Sequence, residues 1–175
     1  ITLNLKSASG KRILKELVQK ADALVENFRP GVMARLDLDY ETLREANPRL
    51  VYCAISGFGQ DGPLAKLPAY DQIVQGMSGV MSITGDGDTA PYRVGYPMGD
   101  TIGGMTAAFA VAAALANKAE DRGTLIDVSM LEAGIATMGW VVSNHLIAGQ
   151  APIPNGNDNF TASPSGTFKT ADGVM

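Results

Sequence analysis

The chain has 175 residues, 46% of them hydrophobic, and a formal net charge of −4 at pH 7, which suits one compact domain with a hydrophobic core. Its basic residues are scattered, so we expect neither a nucleic-acid surface nor a membrane-binding stripe. One cysteine and one histidine exclude an internal disulfide, a His-based metal cluster and a Ser-His-Asp triad built from this chain alone.

No signal peptide is recognisable, and no uncharged apolar run is long enough to span a membrane. The single cysteine fits a reducing compartment, so we expect a cytoplasmic protein. The chain starts at Ile1 rather than at a methionine and stops just after a turn at residues 171–173. These ends predict that it is a fragment of a longer protein.

The amino-terminal segment predicts a β-α-β unit. Residues 1–5 alternate apolar and polar side chains, which is typical of a strand. Ser7 or Ser9 is positioned to cap the next helix. The apolar stripe of that helix consists of Ile13, Leu14, Leu17 and Val18. A second strand follows at Ala23–Glu26, and this order indicates a parallel sheet with a right-handed crossover.

Residues 26–31 follow the carboxyl end of that strand, the edge where open α/β sheets bind ligands. Pro30 and Gly31 fix a turn, and Arg29 and Arg35 accompany it beside a short predicted helix. Two interpretations are equally supported by these residues. One is a ligand-binding loop, and the other is a plain strand-to-helix connection with exposed arginines.

The centre of the predicted sheet comes next. Residues 38–46 predict a helix that ends at Asn47-Pro48. Residues 50–55 form a nearly continuous apolar run, as expected of a central parallel strand. Cys53 lies within it, and we expect a buried, inert thiol rather than a nucleophile. The glycine-rich loop at 56–68 lacks the spacings of a nucleotide phosphate loop.

Two helices are predicted in the middle of the chain. The first begins near Ala69 and has Ile73, Met77 and Val80 at core spacing; a polar loop at 84–93 separates it from the second. Residues 102–116 are uncharged and rich in Ala and Gly, which predicts a helix packed tightly into the interior.

Asp100 lies at the mouth of the second helix, shortly after Pro97. An aspartate there is either an N-cap, which accepts hydrogen bonds from the free backbone N–H groups, or a carboxylate held for chemistry. Position alone favours the cap. A helix start also favours the anionic form of a carboxylate.

The carboxyl-terminal part predicts a charged turn at 118–123, a strand at Thr124–Ser129 and one long apolar helix at 130–146. This helix carries His145, which we expect to be a structural or surface residue rather than a catalytic one, because no carboxylate partner is evident nearby in sequence. Residues 148–164 predict a loop, and residues 165–173 begin a hairpin-like element.

Five segments in this order resemble the class III coenzyme A transferases, which include formyl-CoA transferase and carnitine CoA-transferase, and the related α-methylacyl-CoA racemases. They are residues 24–31, Gly57-Phe-Gly59 with Gly62-Pro63, Tyr70-Asp71 with Gln75, Gly99-Asp100 with Gly103-Gly104, and residues 123–132. Each motif alone is weak, but five in register over essentially the whole chain identify the family.

The resemblance implies an α/β fold with a Rossmann-like parallel sheet and flanking helices, as part of a two-domain protein that forms an interlocked homodimer. Residues 1–147 would belong to the large domain, and residues 148–175 would be a linker and the start of the small domain. It also implies coenzyme A or acyl-CoA as a substrate, a small carboxylic acid as the second substrate, and no metal.

Matched residue by residue, the catalytic aspartate of the family falls on Asp100. The positions that contact coenzyme A fall on Leu3, Lys6, Asn27, Phe28, Arg29, Arg35, Leu67, Pro68, Ala69 and Tyr70. Pro68 replaces a lysine that formyl-CoA transferases have there. Whether Lys66 substitutes from two residues away is left open by the sequence.

The implied chemistry is attack by a carboxylate on an acyl-CoA thioester, through an anhydride and an aspartyl-CoA thioester. The glycines beside Asp100 would leave room for substrate, and their N–H groups would stabilise the oxyanions. The racemase branch is less favoured, because its proton-shuttling histidine is replaced here by Tyr70, and tyrosine ordinarily has a pKa near 10. Binding of acyl-CoA without turnover is a third interpretation, above all for the isolated fragment.

Overall fold

The fold is organised around a three-stranded parallel sheet. The computed structural model describes residues 1–117, 122–159 and 162–175. Strands β1 (Ala23–Glu26), β2 (Val51–Ser56) and β3 (Thr124–Ser129) lie in the order β1-β2-β3. Strand β2 pairs in parallel with both neighbours, Val25 with Cys53 and Cys53 with Ile126. Burial on both faces explains why the sequence of β2 is almost continuously apolar and confirms the α/β interpretation.

Helices cover the two faces of the sheet. The α-helices are α1 (Ala8–Val18), α2 (Val32–Arg35), α3 (Tyr40–Ala46), α4 (Asp71–Ser78), α5 (Met98–Ala116), α6 (Met130–Thr137) and α7 (Gly139–Ala148). On one face, Tyr52 packs in a cluster with Val18 and Leu43 from α1 and α3. On the other, Cys53 packs with Ala107 of α5. Neighbouring residues of β2 thus serve opposite clusters, as the two-residue period of a strand requires.

The predicted strand at residues 1–5 is wrong. Asn4 makes a turn instead, in which its side-chain Oδ1 accepts the Lys6 N–H and its carbonyl accepts both the N–H and the hydroxyl of Ser7. Local side-chain bonding of this kind competes with extended backbone. Ser7 then caps α1 by accepting the Gly10 N–H at 3.1 Å, so the predicted cap is confirmed although the strand before it is absent.

Helix α5 is not packed into the interior as its apolar sequence predicted. Its buried residues are Met98, Gly99, Gly103 and Ala107, whereas Met105 and Phe109 are 68% and 78% exposed. The described sheet covers one side of the helix, and the opposite apolar side has no cover from the described residues. By length and composition alone, α5 also meets the criterion for a membrane-crossing helix, which core helices of soluble proteins meet as well.

Helix α4 buries a different face from the one that its apolar spacing predicted. Of the three residues predicted at core spacing, Val80 is buried, as predicted, but Ile73 and Met77 are 44% and 49% exposed. The buried residues of α4 are Val74, Gln75 and Ser78. The polar members of this buried face have hydrogen-bond partners: the Gln75 amide bonds to three groups and the Ser78 hydroxyl donates to the Gln75 carbonyl. Buried polar groups that have hydrogen-bond partners are stable in a core. The spacing of apolar residues alone therefore did not identify the buried face of α4.

The single helix predicted over 130–146 is also wrong, because two helices occupy this stretch. Helix α6 ends at Thr137, Met138 leaves the helical region with φ −98° and ψ 24°, and α7 begins at Gly139. The Thr137 hydroxyl bonds to the Gly134 carbonyl at 2.7 Å. Gly139, which directly follows the break, has a low helix propensity and so weakens a continuous helix at this point.

The remaining predictions concern the chain's last third. The hairpin is confirmed as β4 (Lys169–Thr170) paired antiparallel with β5 (Gly173–Val174). Most of the predicted charged turn at 118–123 falls on residues 118–121, which lie outside the described residues.

Candidate active site

A cavity of about 480 Å³ lies at the carboxyl edge of the sheet. Three segments line it: the loop after β1, the loop after β2, and the first turns of α5. The predicted site residues in its lining are Asn27, Phe28, Arg29, Leu67, Pro68, Ala69, Tyr70 and Asp100. The fold therefore brings together residues that are up to 73 positions apart in the chain. Such a meeting follows from the carboxyl ends of parallel strands sharing one edge.

The loop after β1 is held by its own polar side chains. The Asn27 side-chain amide donates to the Ile55 carbonyl of β2 at 2.8 Å, and the Phe28 N–H donates to the Glu26 carboxylate at 2.6 Å. Glu26 is buried, and burial is the largest influence that raises its pKa above the usual value. These bonds fix the backbone of the loop while Phe28 and Arg29 stay exposed toward the cavity edge.

The loop after β2 closes on itself because Gly57 has no side chain. A Cβ at Gly57 would lie 2.3 Å from the Cβ of Ala69, so the two ends of the loop are in contact. The Gly57 carbonyl accepts the Leu131 N–H at 3.0 Å, which joins the loop to α6. This closure places Leu67, Pro68 and Tyr70 on the cavity wall.

Asp100 is not the N-cap of α5. That position is Pro97, and Asp100 is the third residue of the helix. The capping carboxylate belongs to Asp71 of α4, which accepts the Gly99 N–H at 2.7 Å and lies 3.5 Å from the Asp100 nitrogen. Among the residues that the structure describes, no group donates to the Asp100 carboxylate.

A buried glutamine extends this arrangement. Gln75 is fully buried, and its Nε2 donates to Asp71 at 2.8 Å and to the Tyr96 carbonyl at 3.1 Å. Its Oε1 accepts the Val94 N–H at 2.8 Å. Helix α4 thereby fixes the segment that leads into Asp100, and a fully satisfied buried network of this kind is rigid.

The electrostatics around Asp100 differ from the prediction. The helix start was expected to favour the anion, yet burial raises the pKa of Asp100 above its usual value, and the nearby Asp71 carboxylate raises it further. The Gly99 N–H, expected to bind an oxyanion, is already bonded to Asp71. Because Asp71 uses the free N–H groups of the first turn, they stabilise its charge rather than that of Asp100.

Leu3, Lys6 and Arg35 do not line this cavity. Lys6 lies in a separate groove along α1 with Lys11 and Lys15, and Arg35 at the end of α2 lies against Gly31. Lys66 is exposed and is not among the lining residues either. Pro68 lines the cavity wall, whereas Lys66, two residues before it in the same loop, does not.

Three features were missed by the sequence reasoning. Met130 also lines the cavity, and the bonds that Asp71 and Gln75 each make to residues 94–100 cross 19 to 29 positions of sequence. The sequence showed the motif Tyr70-Asp71 with Gln75 but not the groups that these side chains bond to. The only signal available was the four-residue spacing of Asp71 and Gln75, which places them on one face of a helix.

The remaining reactive side chains lie away from this site. His145 is exposed, with its Nδ1 3.3 Å from the Gln150 carbonyl. Cys53 is fully buried, and burial raises the pKa of its thiol. Over residues 1–117, 122–159 and 162–175, no cluster of three or more His, Cys, Asp or Glu side chains is arranged to hold a metal.

Comparisons with known proteins identify the family of the chain. A family model described as CoA-transferase family III matches residues 1–175. The chain is 42% identical over 176 residues to a succinate–glutarate CoA-transferase of Agrobacterium fabrum, covering 100% of this chain and 44% of that protein. It is 45% identical to an acetyl-CoA:oxalate CoA-transferase of Acetobacter aceti, covering 98% of this chain and 45% of that one.

Solved structures show the same likeness. The crystal structure of a CAIB/BAIF family protein from Brucella suis superposes with a TM-score of 0.91 at 34% identity, covering 99% of this chain and 46% of that one. The chain spans a little under half the length of the curated relatives it matches.

Proposed function

The chain belongs to CoA-transferase family III, and from that membership we propose that the full-length protein moves coenzyme A from an acyl-CoA donor to a carboxylic acid acceptor, with Asp100 as the covalent nucleophile. One observation carries the proposal. Asp100 borders the cavity with a carboxylate that no described group engages, while Asp71 takes over the capping of its helix.

The proposed reaction begins when a carboxylate oxygen of Asp100 attacks the thioester carbonyl carbon. The C–S bond breaks, coenzyme A leaves as a thiolate, and a mixed anhydride remains on Asp100. The thiolate then attacks the Asp100 carbonyl carbon, which releases the donor acid and leaves an aspartyl-CoA thioester. An acceptor carboxylate then attacks the aspartyl-CoA thioester, which releases the coenzyme A thiolate and forms a new mixed anhydride on Asp100. The thiolate attacks the acyl carbon of the acceptor, which gives the new acyl-CoA and frees the Asp100 carboxylate. The cycle consumes no water, oxidant or reductant.

We propose that Asn27, Phe28 and Arg29, together with residues 67–70, contact coenzyme A near its thioester end. The cavity supports this assignment because all of them border it together with Asp100. Leu3, Lys6 and Arg35 remain predicted contacts of the more distant part of coenzyme A, outside the cavity. The domain division at residue 147, the interlocked homodimer and the cytoplasmic location also remain predictions.

The test is to incubate the full-length protein with a panel of acyl-CoAs, quench with hydroxylamine and analyse the peptide that contains Asp100 by mass spectrometry. A hydroxamate on Asp100 is expected, because an anhydride or thioester carbonyl reacts with hydroxylamine. Asp100→Asn is the control and removes the label. Asp100→Glu should also react poorly, because the longer side chain misplaces the attack.

The other interpretations give different results in the same experiment. An unlabelled Asp100 with exchange of the α-proton of the acyl group into heavy water would indicate racemase-type acid/base chemistry. Absence of both signals, with binding of acyl-CoA retained, would indicate a binding protein without turnover. Either result would overturn the transferase proposal.

A further inference from the structure

Gly104 lacks a side chain at the one helical position that faces the cavity one turn beyond Asp100. Residues four apart in a helix lie on the same face, and both residues border the cavity. A Cβ built on Gly104 meets no atom of the described residues within 4 Å. Any side chain at this position would therefore project into the open space beside the Asp100 carboxylate.

The neighbouring glycines of α5 have packing reasons that Gly104 lacks. A Cβ on Gly99 would lie 2.9 Å from Cγ1 of Val74, and a Cβ on Gly103 would lie 2.8 Å from Cγ of Met130. Helix-to-helix packing thus requires glycine at 99 and 103. Glycine in a helix interior is less stable than alanine, so Gly104 destabilises α5 without relieving a contact to any described residue.

We propose that Gly104 determines the size of the acyl group that the site accepts, by leaving room beside Asp100 for acyl groups of more than two carbons. This inference rests on the proposed function. The surrounding wall supports it, because Ile55, Leu67 and Met130 present apolar surface to the same cavity. A carbon chain leaving the thioester beside Asp100 would contact that surface and occupy the place of the missing side chain.

The experiment measures single-turnover labelling of Asp100 by hydroxylamine with straight-chain acyl-CoAs from acetyl to octanoyl, in the full-length protein. The variants are Gly104→Ala and Gly104→Val. We expect Gly104→Val to lower the labelling rate at least about tenfold for the larger donors, the low end of what one methylene group contributes in a hydrophobic pocket. The rate with acetyl-CoA should change less than about threefold. With the larger donors, the labelling rate of Gly104→Ala should lie between those of Gly104→Val and the wild type.

Gly76→Ala is the matched control. Gly76 is also a helix glycine, it is exposed, and a Cβ there would meet only the sulfur of Met81 at 3.7 Å. Both alanine variants gain the same helix propensity, so both should unfold at a slightly higher temperature. Only Gly104→Ala should change the dependence of the rate on acyl length.

Three outcomes decide the inference. Selective loss with larger donors supports it. An equal loss with every donor, or a dependence on acyl length that matches the wild type, overturns it while leaving the transferase proposal standing. If no donor labels Asp100 in the wild type, the proposed function itself fails, and the assignment of Gly104 falls with it.

Discussion

The carboxylate of Asp71 accepts the backbone N–H of Gly99 at 2.7 Å across 28 positions of sequence. A helix start usually satisfies its free N–H groups with a side chain from its own first residues. Here the cap comes from α4, so the carboxylate of Asp100, in the first turn of α5, is not used for capping. Asp71 thus both fixes the backbone of Asp100 and brings a like charge near it.

The first prediction concerns Asp71→Asn. Asparagine keeps an oxygen for the Gly99 N–H and removes the charge that helps to raise the pKa of Asp100. Its amide NH2 group cannot accept the bond from Gln75 Nε2, which keeps only the Tyr96 carbonyl as a partner. Burial, the larger cause, stays, so the pKa of Asp100 should fall toward its usual value without reaching it. Because Asp100, as the proposed nucleophile, must be ionised to attack, the acidic limb of the kcat/KM profile should move to lower pH.

The measurement is the pH profile of kcat/KM with one donor. The charged or titratable groups that share the cavity, Arg29 and Tyr70, are unchanged in the variant. Asp88→Asn is the control, since it removes a charge from an exposed loop. An acidic limb that stays in place, or moves to higher pH, would contradict the role assigned to the Asp71 charge.

The second prediction is that Gln75→Leu destabilises the protein by about 3 kcal/mol, because it leaves buried polar partners without hydrogen bonds. Gln75 is fully buried, and its side chain bonds to Asp71, Tyr96 and Val94. Urea unfolding of the full-length protein measures the change. Gln72→Leu, three positions earlier on the same helix and exposed, should change stability by about 0.5 kcal/mol or less. Equal effects of the two substitutions would refute the importance of the network.

Much of the sheet and of the cavity could be predicted from sequence because their signals are local. The apolar run of β2 identified the central strand, and the rule that ligands bind at carboxyl ends of parallel strands pointed to Asn27 and Arg29. The family resemblance added Asp100 and residues 67–70. These segments all line one cavity. Predicting this did not require knowing which residues distant in sequence pair with one another.

The errors arose where partners that are distant in sequence decide the outcome. Apolar spacing predicted that Ile73 and Met77 of α4 face the core, but Gln75 is buried instead, because hydrogen bonds to Val94 and Tyr96 make its burial favourable. Apolar composition predicted a buried α5, whereas Phe109 is 78% exposed. The alternation at residues 1–5 predicted a strand, yet a strand also needs a neighbour to pair with.

The third prediction concerns Arg29→Ala, which should raise KM for acyl-CoA about tenfold and change kcat less, because a charge-assisted bond to substrate contributes roughly 1.5–3 kcal/mol. Arg29 lines the cavity and has an exposed side chain. Steady-state kinetics with one donor at several salt concentrations gives the measurement. The ratio of the KM of Arg29→Ala to that of the wild type should decrease as salt screens the interaction. Arg44→Ala is the control, since Arg44 lies on α3 and pairs with Glu41. A loss confined to kcat would contradict a substrate-binding role.

The last prediction concerns the cap of α3. The Asp39 carboxylate accepts the Thr42 N–H at 3.0 Å, and its hydrogen bonds with Thr42 are the largest cause that lowers its pKa. A lowered folded-state pKa means that the cap stabilises the protein above the unfolded-state pKa, which is about 3.9 for aspartate. The stabilisation is lost as the pH falls through the lower, folded-state value. Asp39→Ala should therefore cost about 1 kcal/mol at neutral pH.

The pH dependence separates the charge from the cap itself. Asp39→Asn keeps a capping oxygen that does not titrate, so its effect should be a few tenths of a kcal/mol and nearly constant with pH. The free energy of unfolding of wild type and both variants, measured by urea at about pH 7 and about pH 3, tests this. The difference between wild type and Asp39→Ala should shrink at the lower pH, because protonation weakens the wild-type cap. A difference that grows on acidification would mean that the carboxylate is destabilising as an anion, opposite to what its bonds to Thr42 require.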